Sequence, residues 1–371
     1  MEEASLQGFA VLRNPTRHRH FAAGEAIFYQ GDQGDDMYIV VAGELRVTLD
    51  DNEINRLTSG AVFGEMSLVD ERTRSATVTA VTDCTLIPVS QTRFAELAQQ
   101  DPDFAIQIMR IMSIRLRNMM AEEVERQRLE QELAIGRQIQ LSLLPQNTPQ
   151  IPGWEFAVHY QAARQVGGDL YDFMPAPANP HQLHIVVADV TGKGVPAAMF
   201  MAVGRTLFRA TAADTHAPAH ILHRVNESIL RDNHSPLFLS ACYITLDTQT
   251  GVLRHASAGH EAPLWLHGET GAVTELPGRG MVLGAFKTVA FAEETAVLAP
   301  GDALIIYTDG VTEARDTTRG FFGDERLTAA IAAARGARAT ELVQQLVTAV
   351  THFTGDMPQA DDLTIVVIKR L

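Results

Sequence analysis

The sequence predicts a multidomain protein: an all-β barrel or jelly roll, a helical linker, and an α+β domain of layered strands and helices. Three observations predict it. From about Phe21 to Pro88, short apolar runs alternate with glycine turns. From Ser90 to about Leu144 the pattern is helical, interrupted only near Asp101–Pro102. From Trp154 onward strand and helix candidates mix, with helices clustered between runs of strands. The expected boundaries are residues 1–118, 119–150 and 151–371.

The N-terminal strands read as Ala26–Tyr29, Met37–Val41 and Leu45–Leu49, punctuated by Gly31, Gly34, Gly43 and the Asp50–Asp51–Asn52 cluster. Ser90 suits a helix N-cap. Met109, Met112, Leu116, Met120 and Val124 follow helical spacing and are expected to be ordinary core. Residues 122–132 are dense in Glu, Arg and Gln, as in an exposed connecting helix. The broken heptad leaves a homodimer through this helix as an open alternative. Pro145, Pro149, Pro152 and Gly153 mark a boundary loop. Beyond it, strands are expected at Leu183–Ala188, Ala241–Leu246, Ala303–Tyr307 and Leu363–Ile368. Helices are expected from Pro196 and near Pro218, Glu325 and Thr340, with Met199, Val203 and Leu207 on one apolar face.

The 371 residues are 46% hydrophobic and carry a formal net charge of −15. That charge repels nucleic-acid phosphate and argues against a DNA or RNA partner. Two cysteines, Cys84 and Cys242, are too few for a disulfide framework or a thiolate zinc site. The polar opening residues do not resemble a secretion signal, and no apolar run approaches the roughly 20 residues of a membrane helix. A cytoplasmic protein without a membrane partner is expected.

The informative residues are aspartates at strand ends. Asp169 follows Gly167–Gly168. Asp189 ends an apolar run and leads into Val190–Thr191–Gly192–Lys193–Gly194. Asp309 follows the Ala303–Tyr307 run, and Asp361–Asp362 precede the last strand. Any one of them could be a turn residue. Four in one domain, each abutting an apolar strand, suggest carboxylates gathered at a sheet edge, where a hard divalent cation would relieve their repulsion. No His/Cys spacing favours zinc, so Mg²⁺ or Mn²⁺ is expected. A pair of such ions about 4 Å apart suits in-line attack on phosphorus.

These pieces resemble the metal-dependent PPM-type protein phosphatases, in the bacterial branch of stage II sporulation protein E and the sigma-B regulator phosphatases. The matching residues run from Gln138–Ile139–Gln140 and Leu143–Leu144–Pro145 through Gly167–Gly168–Asp169–Leu170–Tyr171–Asp172 and 189–198. They continue in Ala258–Gly259–His260, Tyr307–Thr308–Asp309–Gly310 and Gln359–Ala360–Asp361–Asp362–Leu363–Thr364. The resemblance implies a β-sandwich flanked by helices. It implies catalysis by Asp189 and Asp169, with Asp189 bridging two metal ions. Asp169, Asp309, Asp361 and the Val190 carbonyl complete the coordination, with Asp362 behind them and Asp172 as support or a third-ion ligand. The implied substrate is phosphoserine or phosphothreonine on an anti-sigma-factor antagonist. Lys193 stands where many relatives have histidine. His260 is expected to be structural.

The patch Phe63–Gly64–Glu65–Met66–Ser67–Leu68 with Arg74–Ser75–Ala76 could be a surface turn and a strand. It could also hold an anion on a helix N-terminus and an arginine. With Tyr29–Gln30–Gly31–Asp32 and Gly43–Glu44–Leu45 it resembles the phosphate-binding cassette of cyclic-nucleotide-binding domains, with Thr73 in place of a common proline. The resemblance implies cAMP or cGMP bound by Gly64, Glu65, Arg74 and Ser75, and so a phosphatase under nucleotide control. The alternatives are a pseudophosphatase scaffold, or a barrel that binds no nucleotide and serves dimerisation.

Overall fold

The computed structural model describes residues 18–66, 73–213, 217–233, 235–278 and 280–371. The chain divides into two compact units, Met1–Arg128 and Leu129–Leu371.

In the first unit, strands β1 (Arg19–Phe21), β2 (Ala26–Phe28), β3 (Asp36–Ala42), β4 (Leu45–Leu49), β5 (Asn52–Leu57), β6 (Val62–Phe63), β7 (Thr77–Ala80) and β8 (Cys84–Ser90) form two antiparallel sheets. Their orders are β1-β8-β3-β6 and β2-β7-β4-β5. β3 is apolar from Met37 to Ala42, and Met37–Val40 are buried because both of its faces are covered there. Tyr38 and Val40 meet Leu45, Phe63, Val78 and Leu86 between the sheets. Met37 and Ile39 face the other way, against Leu97 of α1 (Gln91–Gln100) and Phe104, Ile108 and Ile111 of α2 (Pro102–Leu143). Ser90 caps α1, its hydroxyl accepting from the Arg93 N–H.

The helix α2 runs through residue 128 into the second unit. Of its methionine stripe only Met112 packs against the core. The buried face is Phe104, Ile108 and Ile111, while Met109, Leu116, Met120 and Val124 are at least 55% exposed. Apolar residues lie on more than one face of this helix, so spacing alone does not say which face is covered.

The second unit is a sandwich of two five-stranded antiparallel sheets between helix layers. Its elements are β9 (Trp154–Gln161), β10 (Leu170–Ala176), β11 (Asn179–Val190), α3 (Val195–Ala212), α4 (Pro218–Asp232), β12 (Leu239–Asp247), β13 (Val252–Ala258), β14 (Leu264–Leu266), β15 (Val273–Glu275), β16 (Glu294–Val297), β17 (Ala303–Tyr307), α5 (Asp309–Thr312), α6 (Gly323–Ala333), α7 (Ala339–Thr354) and β18 (Leu363–Arg370). The sheet orders are β10-β11-β12-β13-β16 and β15-β14-β17-β18-β9. Between the sheets lie Phe156, Ile185, Val187, Ile244, Leu304, Ile306 and Val366. The outer face of the first sheet packs on α3 and α4 through Val186, Phe200, Phe208, Leu222 and Tyr243. The second sheet packs on α6 and α7 through Ile305, Leu327, Leu342, Leu346 and Val367. The central strands are therefore buried on both faces over much of their length and read as mostly apolar runs, unbroken in Ile185–Ala188 and Ala303–Tyr307.

Of the apolar face assigned to the helix at Pro196, Leu207 packs half-buried against the core, and the rest is corrected by the structure. Met199 and Val203 are 68% and 52% exposed, and Ala197, Phe200, Met201, Gly204 and Phe208 are buried instead. The covered face includes small residues that let the helix approach the sheet, which dilutes its hydrophobic signal. Among the described residues no helix is long and apolar enough to cross a membrane.

Candidate functional site

At one end of the sandwich the central strands of both sheets stop together. Asp189 and Val190 end β11, where Asp189 pairs with Ser240 on β12. Asp309 follows β17, Asp361 and Asp362 precede β18, and Asp169 precedes β10. Asp189, Val190, Asp309 and Asp361 line one cavity of about 310 Å³, together with Lys193, Ser240, His260 and Glu261.

Asp169 lies beneath it, 1% exposed. Its Oδ2 accepts hydrogen bonds from the hydroxyls of Thr308, at 2.8 Å, and Thr364, at 2.5 Å, tying the edge of one sheet to the middle of the other. Its Oδ1 is buried without a hydrogen-bond partner. Close backbone approach requires the preceding glycine: a Cβ on Gly168 would stand 2.9 Å from the Val190 carbonyl oxygen. Asp362 supports the same loop. Its Oδ1 accepts the Ala163 N–H at 2.8 Å, and its Oδ2 accepts those of Gly168 and Asp169 at 2.5 and 3.4 Å.

The carboxylates are electrostatically uncomfortable. Burial, then Asp189 and Asp362, push the Asp169 carboxyl well above the ordinary range. Burial, with Asp309, Asp361 and Asp362, pushes Asp189 up to about 7, against an opposing contact with Asp169. Burial and then Asp361 raise Asp309. Hard oxygen donors, an unpartnered buried carboxylate oxygen and mutual repulsion fit a divalent cation in kind. Among the described residues no three such side chains already close on one point. Asp169 is engaged by its two threonines, and Asp361 Oδ2 meets Lys193 Nζ at 2.6 Å. That surface ion pair contributes little stability and yields readily to a stronger cation.

This electrostatic strain has a measurable sign. Below about pH 3.8 Asp189 is protonated whether folded or unfolded and costs nothing. As pH rises to about 7 only the unfolded chain has released the proton, so stability falls, and above that the loss is complete. In chelator, Asp189→Asn is therefore expected to raise the midpoint of thermal unfolding at pH 8 and leave it unchanged at pH 4. A shift equal at both pH values, or none, would contradict the buried charge.

One expectation is revised. Asp172 does not join this cluster. Its carboxylate is held by α3, with Arg209 donating at 2.6 and 2.8 Å and Arg205 pairing at 3.0 Å. His260 lines the cavity with its Nδ1 2.8 Å from the Ser240 hydroxyl, and burial pushes its pKa down to about 4, leaving a neutral imidazole. Thr308, Thr364 and Ser240 went unassigned in the sequence, although both threonines stand inside the motifs that carry the aspartates.

In the first unit, a cavity of about 210 Å³ is walled by Phe28, Val47, Leu57, Phe63 and Val78. Gly64, Glu65, Arg74, Ser75 and Arg115 also line it. Arg74 is 6% exposed. Its guanidinium donates to the carbonyls of Gly64, at 3.1 Å, and Asp36, at 2.8 Å, and lies 4.2 Å from the Phe28 ring centroid. Gly64 has φ +73°, and a Cβ there would stand 2.7 Å from the guanidinium. A fixed cation under a glycine turn, with an apolar wall beside it, fits a cyclic phosphate carrying a base. Glu65 is paired with Arg115 of α2 at 2.6 Å. The anion-binding turn expected after Gly64 falls largely on residues 67–72, outside the described residues.

The sequence model described as Stage II sporulation protein E (SpoIIE) matches residues 179–371, more than half of the chain, and that of the cyclic nucleotide-binding domain matches 18–101. Protein IcfG of Synechocystis sp. is 31% identical over 290 residues, covering 70% of this chain and 44% of that protein, so the chain spans less than half of that relative. Phosphoserine phosphatase RsbU of Bacillus subtilis is 25% identical over 268 residues, covering 72% of this chain and 78% of that one. The structure of the SiaA-PP2C domain of Pseudomonas aeruginosa superposes with a TM-score of 0.60 at 23% identity, over 67% of this chain and 98% of that one, a likeness of fold. The chain belongs to the stage II sporulation protein E family, with a match to the cyclic nucleotide-binding domain ahead of the region that carries it.

Proposed function

We propose that the C-terminal domain is a metal-dependent phosphatase acting on phosphoserine or phosphothreonine of a partner protein, under the control of a cyclic nucleotide in the N-terminal barrel. The observation that carries the reading is the meeting of Asp189, Asp309 and Asp361, from both sheets, in one cavity. With Asp169 and the Val190 carbonyl they are the residues that would hold Mn²⁺ or Mg²⁺, two ions by the family's pattern. Bound there, the cations supply Lewis-acid polarisation of the phosphoryl oxygens and acidify the attacking water. The chain's own residues hold that site in place: Thr308 and Thr364 fix Asp169, and Asp362 fixes the loop above it. Lys193 can release Asp361 and offer its charge to a phosphoryl oxygen. A neutral His260 can orient the Ser240 hydroxyl.

The likeness to the phosphoserine phosphatase RsbU supports phosphoserine as the substrate group, and the family resemblance adds an anti-sigma-factor antagonist as the protein that carries it. The nucleotide is cAMP or cGMP, held by Arg74, Ser75, Glu65 and the backbone at Gly64. The Glu65–Arg115 ion pair supports α2 as the element that reports occupancy, because a ligand hydroxyl accepted by Glu65 competes with an arginine of that helix. A second copy of the chain is the proposed cover for the exposed Met109–Leu116–Met120–Val124 stripe, giving a homodimer. The buried free thiols of Cys84 and Cys242 and the net charge of −15 suit a cytoplasmic enzyme without a nucleic-acid partner.

The test is hydrolysis of p-nitrophenyl phosphate and a phosphoserine protein with Mn²⁺, with and without each nucleotide, with light scattering on the same sample. Mn²⁺-dependent turnover changed by a nucleotide, at twice the monomer mass, is expected. No turnover under any condition would reject the enzyme reading.

A further inference from the structure

The last turns of α2 have a role that the carboxylate site alone does not explain. Gln140 is 4% exposed and belongs to the second unit. Its side-chain amide bonds one peptide residue twice: Nε2 donates to the Gly167 carbonyl at 2.5 Å, and Oε1 accepts the Gly167 N–H at 3.0 Å. Gly167 is confined from another side, since a Cβ there would strike the Asp362 carboxylate and the Tyr160 hydroxyl. The next N–H groups, of Gly168 and Asp169, are those that Asp362 accepts. The Asp169 carboxylate thus hangs from a loop pinned at two points, one of them on the connecting helix. A buried amide loses water and side-chain freedom, and an apolar side chain would fill the space without that loss unless the loop's position matters.

We propose that Gln140 is the positioning residue through which α2 sets the Asp169 carboxylate. The inference rests on the reading of Asp169 as a metal ligand and deepens it: a rotation or shift of α2 reaches the site through this amide. Linkage makes the coupling reciprocal, so metal binding must also steady the helix end.

The experiment titrates Mn²⁺ by calorimetry into the full chain and into Gln140→Met and Gln140→Asn. Met fills the volume without either bond, and Asn keeps the chemistry but is too short to span. Both are expected to bind Mn²⁺ about tenfold or more weakly, the lower end for a lost outer partner of a metal ligand. The Mn²⁺ concentration for half-maximal hydrolysis should rise equally, while kcat at saturating Mn²⁺ stays within about threefold of wild type. Wild-type affinity in either variant overturns the proposal, since a packing role would be met by Met. Hydrogen exchange on the wild type provides a measure that needs no variant. Amides of residues 135–143 should slow on adding Mn²⁺, and unchanged exchange there overturns the proposal even if both variants unfold. A wild-type chain that takes up no Mn²⁺ overturns the metal reading itself, which is a separate result.

Discussion

Asp189→Ala and Asp309→Ala should each abolish Mn²⁺-dependent hydrolysis of p-nitrophenyl phosphate while the fold survives. Both aspartates line the cavity from the ends of central strands of opposite sheets, so each loss would take a proposed metal ligand from a different side. Metal stabilisation of charge in phosphoryl transfer is worth several kcal/mol, which converts to a fall in rate of roughly 10³-fold or more. Survival of the fold follows from the same electrostatics. Each substitution removes a negative charge from a cluster whose members raise one another's pKa, and it strands no cation in the core. Asp172→Ala is the contrast, because it would leave Arg205 and Arg209 facing a buried gap. Turnover at wild-type rates in either Asp189→Ala or Asp309→Ala, with circular dichroism unchanged, would reject their assignment.

Both the layered fold and the location of this site were legible because they depend on patterns short in sequence. A central strand covered on both faces must be largely apolar, so Ala303–Tyr307 and Leu363–Ile368 stood out. A carboxylate directly after or before such a run falls at the sheet's edge, where the buried strand meets solvent. What the sequence hid was long-range. Gln140 meets Gly167 across 27 residues, and Thr364 meets Asp169 across 195. No local composition announces such bonds. Asp172 was misleading for the same reason: it stands three residues after Asp169, yet its partners lie on α3. The exposed faces of α2 and α3 misled differently. Their methionines and valines mark where a helix is apolar, and only the packed structure shows which apolar face is covered.

Arg74→Ala should cost the N-terminal domain at least about 100-fold in affinity for its cyclic nucleotide. Arg74 is not a loose surface cation. Two backbone carbonyls and the Phe28 ring hold its guanidinium at the foot of the cavity before any ligand arrives, so little ordering is left for binding to impose. Two charge-assisted hydrogen bonds to a phosphate, at about 1.5 kcal/mol or more each, convert to that factor. Arg74→Lys should recover little of it, since one ammonium cannot reach both carbonyls and present a planar fork to phosphate. Calorimetry with cAMP and with cGMP on the wild type and both variants reads this directly. Affinity in Arg74→Ala equal to that of the wild type would remove Arg74 from the site. No heat from the wild type with either nucleotide would remove the ligand itself, leaving the barrel as an element that serves the phosphatase only through the helix it anchors.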